Sequence, residues 1–225
     1  MAVNQFNLAE HQRAERKLLL TVAEWTDTAQ DIYTLQASQP ADWTTNYTNY
    51  YTKSGSTYTA IPEGTGAPTW ANNTYYTKTT VSQFRELLGR RTEDSSIEYN
   101  ADQQTSTDIL GINYTDINKT QPQQDFDPYL ILGGSLLGAK LNDIRKRNAL
   151  SELSQFTLYI ITAFVGDSTS GYEAEKHVNC TITYNSIGGD ANVNMPISVF
   201  FSNEITNGTV DKLGTDFTFT PSVSL

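Results

Sequence analysis

Several residue groups in this chain have types and spacings that could do chemistry. Gly133 and Gly138 flank a loop leading into a helical pattern, the setting of a phosphate cradle. Such a loop ends in Gly-Lys-Ser/Thr, so that amine and hydroxyl reach phosphate and magnesium. Here the run is Gly138-Ala139-Lys140-Leu141, with the wrong spacing and no hydroxyl, and it reads as a helix-entry loop. The two histidines, His11 and His177, stand in no serine- or cysteine-protease signature. Cys180, the only cysteine, falls on the apolar face of an alternating stretch, where a thiol is a small core side chain. Asp125 and Asp127 form an Asp-x-Asp pair ahead of Pro128, but no acid-rich loop with a terminal Glu follows, so they read as surface loop and not as a calcium site. The expectation is a chain with no catalytic residues, no cofactor and no metal.

Two groups remain that could make contacts. Residues 41–80 hold an imperfect repeat, WTTNYTNYYTK from Trp43 to Lys53 and WANNTYYTK from Trp70 to Lys78. Exposed aromatic side chains stack on sugars and on partner proteins. Trp43, Tyr50, Tyr51, Trp70, Tyr75 and Tyr76 are therefore a candidate contact surface. The same residues could instead pack as cross-strand aromatic pairs that stabilise a β arm. The second group is basic: Lys140, Arg145, Lys146 and Arg147. It is either a solvated helix face or a subunit interface that pairs with acids of a neighbouring copy.

The elements that must position these groups follow from composition and pattern. The chain has 225 residues, enough for one solid core. Hydrophobic residues make up 38% and charged residues 18%, both below the globular average, and 31 threonines fill the gap. Threonine favours strands, and a helical bundle would need far more Leu, Ala, Glu and Lys. The net charge of −10 excludes a long basic face for gripping nucleic acid. No run approaches the ~18 apolar residues of a membrane span. Glu10 lies where a signal peptide would be apolar, and one cysteine suits assembly in a reducing cytoplasm.

Along the chain, residues 1–16 read as an exposed arm or short helix. Lys17–Trp25 reads as a strand, turning at the polar stretch around Asp27 to a partner at Ile32–Leu35. Segment 41–80 has almost no aliphatic residues and reads as an insertion projecting from a single domain of residues 1–225. Phe84, Leu87 and Leu88, between Ser82 and Gly89, predict a short helix over Val81–Arg90. Short strands are expected at Ser96–Tyr99 and Ile109–Tyr114. Leu137, Leu141, Ile144 and Asn148 share one helical face, which predicts a helix from Ser135 to Asn148 with Ser135 as N-cap. Phe156–Val165 reads as a buried central strand. Val178, Cys180, Ile182 and Tyr184 alternate with polar residues, and Val193 to Phe201 repeats that pattern. Phe217 and Phe219 belong to a last short strand. The expected fold is mainly β, a β-sandwich or barrel of two sheets with one packed α-helix and a projecting Trp/Tyr-rich insertion.

The stretch RRTEDSSIEYNADQQTSTDILGINYTDINKT (Arg90–Thr120) resembles tail tube, or major tail, proteins of long-tailed bacteriophages. So does the order that follows: Asp127-Pro128, a single amphipathic helix, a long apolar strand, alternating strands through TITYNSIGGDANVNMPISVFFSN, and a terminal FTFTP. The resemblance covers residues 81–225 and the opening strand. It implies a sandwich with one flanking helix, hexameric rings whose inner sheets join into a barrel, and stacking of rings into a tube through which DNA passes without specific binding. It further implies tape measure and tail terminator proteins as partners, no membrane, and a place in the virion tail after synthesis in the host cytoplasm. An acidic lumen would repel DNA phosphates, in keeping with the net charge. Two other readings are open: a carbohydrate-binding or adhesion module using the aromatic repeat, and another virion part such as a capsid or head-decoration protein.

Overall fold

The Thr-rich, alternating stretches fold as strands in the computed structural model, which describes residues 6–90, 92 and 95–222. In chain order these are β1 (Leu19–Leu35), β2 (Tyr50–Ser54), β3 (Thr57–Ala60), β4 (Tyr75–Leu87), β5 (Ile97–Glu98), β6 (Asp102–Thr107), β7 (Asn113–Lys119), β8 (Gln123–Phe126), β9 (Phe156–Asp167), β10 (Gly171–Tyr184), β11 (Ile197–Phe200), β12 (Ile205–Val210) and β13 (Phe219–Pro221). The helices are α1 (Trp43–Asn46) and α2 (Leu136–Arg147), with short 3-10 turns at Arg16–Leu18, Tyr47–Asn49 and Leu150–Ser154. The chain is thus mainly β, and among the described residues there are two sheets and a few short helices, not one helix alone, with no sheet closed on itself. It divides into two compact units. One comprises the described residues up to Trp25 and from Arg85 onwards; the other is Thr26–Phe84. The segment 41–80 lies within the second.

In the first unit β10 serves two ladders. Its opening half pairs with β9 and with β12, and β12 pairs in turn with β13. β9 also pairs with β1, from Leu19 opposite Thr162 to Glu24 opposite Thr157. Its closing half, Thr181–Tyr184, pairs with β11, which continues through β8 to β5. A register shift between His177 and Cys180 marks the change, with Asn179 at φ 56°. A bulge of this kind bends and twists the strand. It also breaks the strict alternation expected there. Cys180 and Ile182 are buried as expected, but His177 turns inward, and Val178 and Tyr184 are half-buried. Thr21 Oγ1 donates to Gln124 Oε1 at 2.7 Å, joining β1 to β8.

One core cluster combines Val22, Tyr159, Ile161, Ala174, Val210 and Phe217. Burial of each aliphatic side chain contributes about 1.5–3 kcal/mol. Beside it a charged pair is taken out of water. Arg85 Nε donates to Glu24 Oε2 at 2.5 Å, and Glu24 is 5% exposed. The guanidinium lies 4.2 Å from the Phe217 ring centre and donates to the Phe217 carbonyl at 2.6 Å. Tyr159 OH donates to the same carboxylate at 3.3 Å. Burial, then the Glu24 charge, pushes the Tyr159 phenol up to about 12.

Helix α2 follows its sequence pattern. Leu137, Leu141 and Ile144 are fully buried, Ser135 Oγ accepts from Gly138 N at 3.1 Å, and Asn148 ends the helix in the left-handed region. Phe156–Asp167 and the stretch from Met195 to Phe201 are likewise strand or buried, although only Ile197–Phe200 pairs as a strand and Val193 is exposed.

Four expectations are corrected. The helix over Val81–Arg90 is instead the end of β4: Leu88 N donates to Thr21 O at 2.8 Å, and Gly89 at φ 83° ends the strand. The 84, 87, 88 spacing is too short a pattern to outweigh ladder partners. The turn near Asp27 is absent, because β1 is a single 17-residue strand; Asp27 and Asp31 are the only turn-forming residues of Thr26–Asp31, which has no Gly, Pro or Asn beside them. Ile109–Tyr114 is mostly a hairpin tip, and β7 begins only at Asn113. At Ser96–Tyr99 the strand narrows to Ile97–Glu98. Of the expected N-terminal arm, Phe6 bridges to Val165 and Asn7 N donates to Phe164 O at 2.9 Å, while residues 1–5 lie outside the described residues.

Candidate functional site

Residues 102–119 form a hairpin that no other strand covers among the described residues. Among the described residues β6 and β7 pair only with each other, from Gln103 opposite Ile117 to Thr107 opposite Asn113. Every β6 residue is exposed. Thr105 and Thr115 face each other at 3.4 Å, and Thr107 Oγ1 donates to Asn113 Oδ1 at 2.6 Å. At the tip, the Asp108 carboxylate accepts from Leu110 N at 2.8 Å, Ile112 N at 2.9 Å and Tyr114 OH at 3.2 Å. Gly111, at φ 78°, closes the turn. The backbone N–H of Ile112, then that of Leu110, holds this carboxyl below the usual range. The fixed tip presents Ile109 wholly to solvent and Leu110 at 78% exposure, with Ile112, Tyr114 and Ile117 also exposed. Polar capture of the backbone by Asp108 explains why an apolar run reads as strand yet folds as a turn.

The basic residues of α2 are only partly available. Glu152 accepts from Lys140 Nζ at 2.8 Å and from Arg147 Nη1 at 2.7 Å, and Arg147 Nε also donates to Asp143 at 2.8 Å. Arg147, then Lys140, holds the Glu152 carboxyl down at about 2. The structure therefore brings Lys140 and Arg147 together on an acid of the same chain. Arg145 donates to Asn142 Oδ1 at 2.9 Å and stays exposed, as does Lys146.

The six aromatic residues of the repeat separate into two sets. Trp43, Tyr50 and Tyr75 are buried with Ile61 in the core of the second unit, and Trp70 packs against them. Trp43 Nε1 donates to Pro68 O at 2.9 Å, and Tyr50 OH to Asp42 Oδ1 at 2.7 Å. Burial, then Asp42, pushes the Tyr50 phenol up to about 12. Tyr51 and Tyr76 are half-buried on the opposite sheet face, joined there by Tyr33 and Tyr58. Sequence reading missed those last two. The signal was present in the repeat itself, because adjacent residues of a strand point to opposite faces, so each Tyr-Tyr pair must divide.

The remaining chemistry-bearing residues are occupied structurally. At the loop before α2, the N–H of Leu137 donates to Glu86 Oε2 at 2.9 Å. Glu86 Oε1 accepts from Tyr129 OH and Ser135 Oγ, each at 2.9 Å, so a carboxylate of the chain already sits where a phosphate would bind. A cavity of about 200 Å³ beside it is lined by Arg85, Glu86, Arg90, Tyr129 and Ser135. Cys180 is buried, and that burial raises its thiol. His177 Nδ1 lies 3.0 Å from Ser202 O. Asp125 accepts from Gln123 and Asp127 from Asn194. Among the described residues no cluster of three or more His, Cys, Asp or Glu is arranged to hold a metal, and no helix is long and apolar enough to cross a membrane. No protein-family model matches the chain, and no curated protein matches it.

Proposed function

We propose that this chain is a structural virion protein, a tail tube subunit that self-assembles into hexameric rings, which stack into a tube for genome passage. The observation that carries the reading is the bare β6–β7 hairpin. An isolated two-stranded hairpin is marginal in water, and five large apolar side chains exposed along one such element mark a contact surface. A neighbouring copy would cover it. The open ladder ends at β5 and β13 offer further edges that ring closure would pair. We read the two ladders sharing β10 as the two sheets of a sandwich, with α2 as its flanking helix. On this reading the subunit performs no chemistry and needs no cofactor. Its partners are other copies, with tape measure and terminator proteins along and at the end of the tube, and DNA passes an acidic wall without being held. The second reading, an adhesion module, is favoured by the tyrosines gathered on one face of the second unit, but it leaves the hairpin unexplained.

Electron microscopy of the concentrated protein, beside a sizing column, tests the assembly. Rings or hollow tubes are expected, and Ile109→Asp with Leu110→Asp is expected to abolish them while leaving the circular dichroism unchanged. A discrete monomer at every concentration, on the grid and on the column, overturns the proposal.

A further inference from the structure

We infer that one sheet face of the second unit binds carbohydrate, specifically glycans that carry carboxylate groups. Four tyrosines cross this face strand by strand. Tyr33 on β1 stacks on Tyr58 of β3 with ring centres 3.9 Å apart and planes 3° apart. Tyr51 on β2 meets Tyr33 edge-on at 5.1 Å, and Tyr76 on β4 meets Tyr58 edge-on at 5.0 Å. Tyr51 and Tyr76 are direct partners in the ladder. All four are half-buried, so a continuous aromatic strip is open to solvent. It is not the core of the unit: Trp43, Tyr50, Ile61 and Tyr75 form that core, and Tyr50 and Tyr75 belong to the other sheet face.

The groups around the strip suit a hydroxylated, anionic ligand. Lys53 Nζ lies 5.3 Å from the Tyr58 ring centre, and Lys78 Nζ lies 5.8 Å from that of Tyr51. These are the only basic residues between Thr26 and Phe84, and both are on this face and exposed. Asp31 accepts from Lys78 Nζ at 3.4 Å and from Thr80 Oγ1 at 2.6 Å. Asp31 takes up the charge of Lys78, and Lys53, over the Tyr58 ring, is the cation placed to meet a carboxylate at the strip. Sugar rings offer apolar C–H faces to aromatic rings and hydroxyls to Lys, Asp, Thr and phenol groups, and Lys53 offers a partner for a uronate carboxylate. Protein interfaces also enrich tyrosine but deplete Lys and Asp, and here Lys53, Lys78 and Asp31 stand beside the rings. The inference is independent of tube assembly and holds for a monomer as well.

The test is retention of the full chain on immobilised alginate and polygalacturonate, with dextran as the neutral comparison. The expected result is binding to both carboxylated polymers that weakens with salt, and little binding to dextran. Tyr58→Ala is expected to weaken it about tenfold, an effect of the size of one lost aromatic contact. Lys53→Gln is expected to weaken binding to the carboxylated polymers about threefold and to leave dextran unchanged. Lys53 is exposed, so this variant keeps the test decisive if Tyr58→Ala fails to fold. Retention on none of the polymers, equal retention on dextran, or retention indifferent to both substitutions overturns the inference.

Discussion

The hairpins β2–β3 and β6–β7 are built from similar polar, Thr-rich sequence but stand in different physical states. In β2–β3, Tyr50 enters the buried cluster of Trp43, Ile61 and Tyr75 on one face. Tyr51 and Tyr58 join the tyrosine strip on the other. Each face has aromatic area to bury, so the short ladder is held from both sides. In β6–β7 the ladder is longer, yet no β6 side chain is even half-buried, and threonine faces threonine across its middle. The difference teaches that strand pairing alone does not complete a hairpin. Cross-strand and same-face packing does, and where a chain omits it the missing surface has to come from elsewhere.

The largest way to break this comparison is to remove the packing from the held hairpin. Trp43→Ala deletes the most enclosed aromatic side chain of the second unit, 2% exposed, and is expected to cost about 3–5 kcal/mol. Hydrogen exchange should show residues 50–60 and 75–78 losing protection, while the amides of Ile161 and Val210, in the cluster of the first unit, keep theirs. Unchanged exchange in 50–60 would show that the aromatic cluster is not what holds β2–β3. A smaller effect follows on the bare hairpin. In the monomer, the amides of 103–107 and 113–117 are expected to exchange at least about tenfold faster than those of β9 and β10, and to gain protection on assembly. Protection that is already high in the monomer would mean that the hairpin needs no cover.

The comparison can also be sharpened by supplying what β6–β7 lacks. Thr105 and Thr115 lie directly opposite each other, so Thr105→Tyr with Thr115→Tyr places an aromatic pair across the ladder. A gain of about 0.5–1 kcal/mol in local stability is expected, read as slower exchange of the hairpin amides in the monomer. No change would locate the instability at the tip and not in the strands.

Much of the fold is legible in the sequence where one signal acts alone. Leu137, Leu141 and Ile144 behind a Ser135 cap specify α2, because periodicity, capping and burial agree, and the apolar run from Phe156 specifies β9, because its length and its burial on both faces agree. Legibility fails where a local signal competes with a distant partner. Phe84, Leu87 and Leu88 have helical spacing, but the segment beside them bonds to β1 and its Arg85 is committed to Glu24. The alternation of β10 holds at Cys180 and Ile182 but fails before Asn179, whose positive φ shifts the register, which no period-two count contains. The contact residues were half legible. The Trp/Tyr repeat marks the second unit, but only strand geometry separates its core residues from the strip, and Tyr33 and Tyr58 lie outside the repeated motif. For α2 the basic residues are plain in the sequence, whereas Glu152, which engages Lys140 and Arg147, follows the helix in a separate turn.

The smallest expected effect concerns how the two hairpins turn. The β2–β3 turn is Ser54 to Thr57, with Gly55 at φ 61° and no carboxylate. The β6–β7 tip is held by Asp108, whose carboxyl lies below the usual range because it accepts backbone N–H bonds from Ile112 and Leu110. A carboxyl depressed in the folded state contributes order that is fully present above its unfolded value, about 3.9, and that is lost as pH falls through the folded value. Acidification from pH 6 to pH 2 should therefore shift the amide resonances of Leu110 and Ile112 with a midpoint below 3.9, and leave those of Gly55 and Ser56 in place. Asp108→Asn should flatten the response at Leu110 and Ile112, because the amide oxygen still accepts but no longer titrates. Equal shifts at both turns would point to global acid unfolding, and would remove the distinction between a tip fixed by a charged acceptor and a turn fixed by glycine.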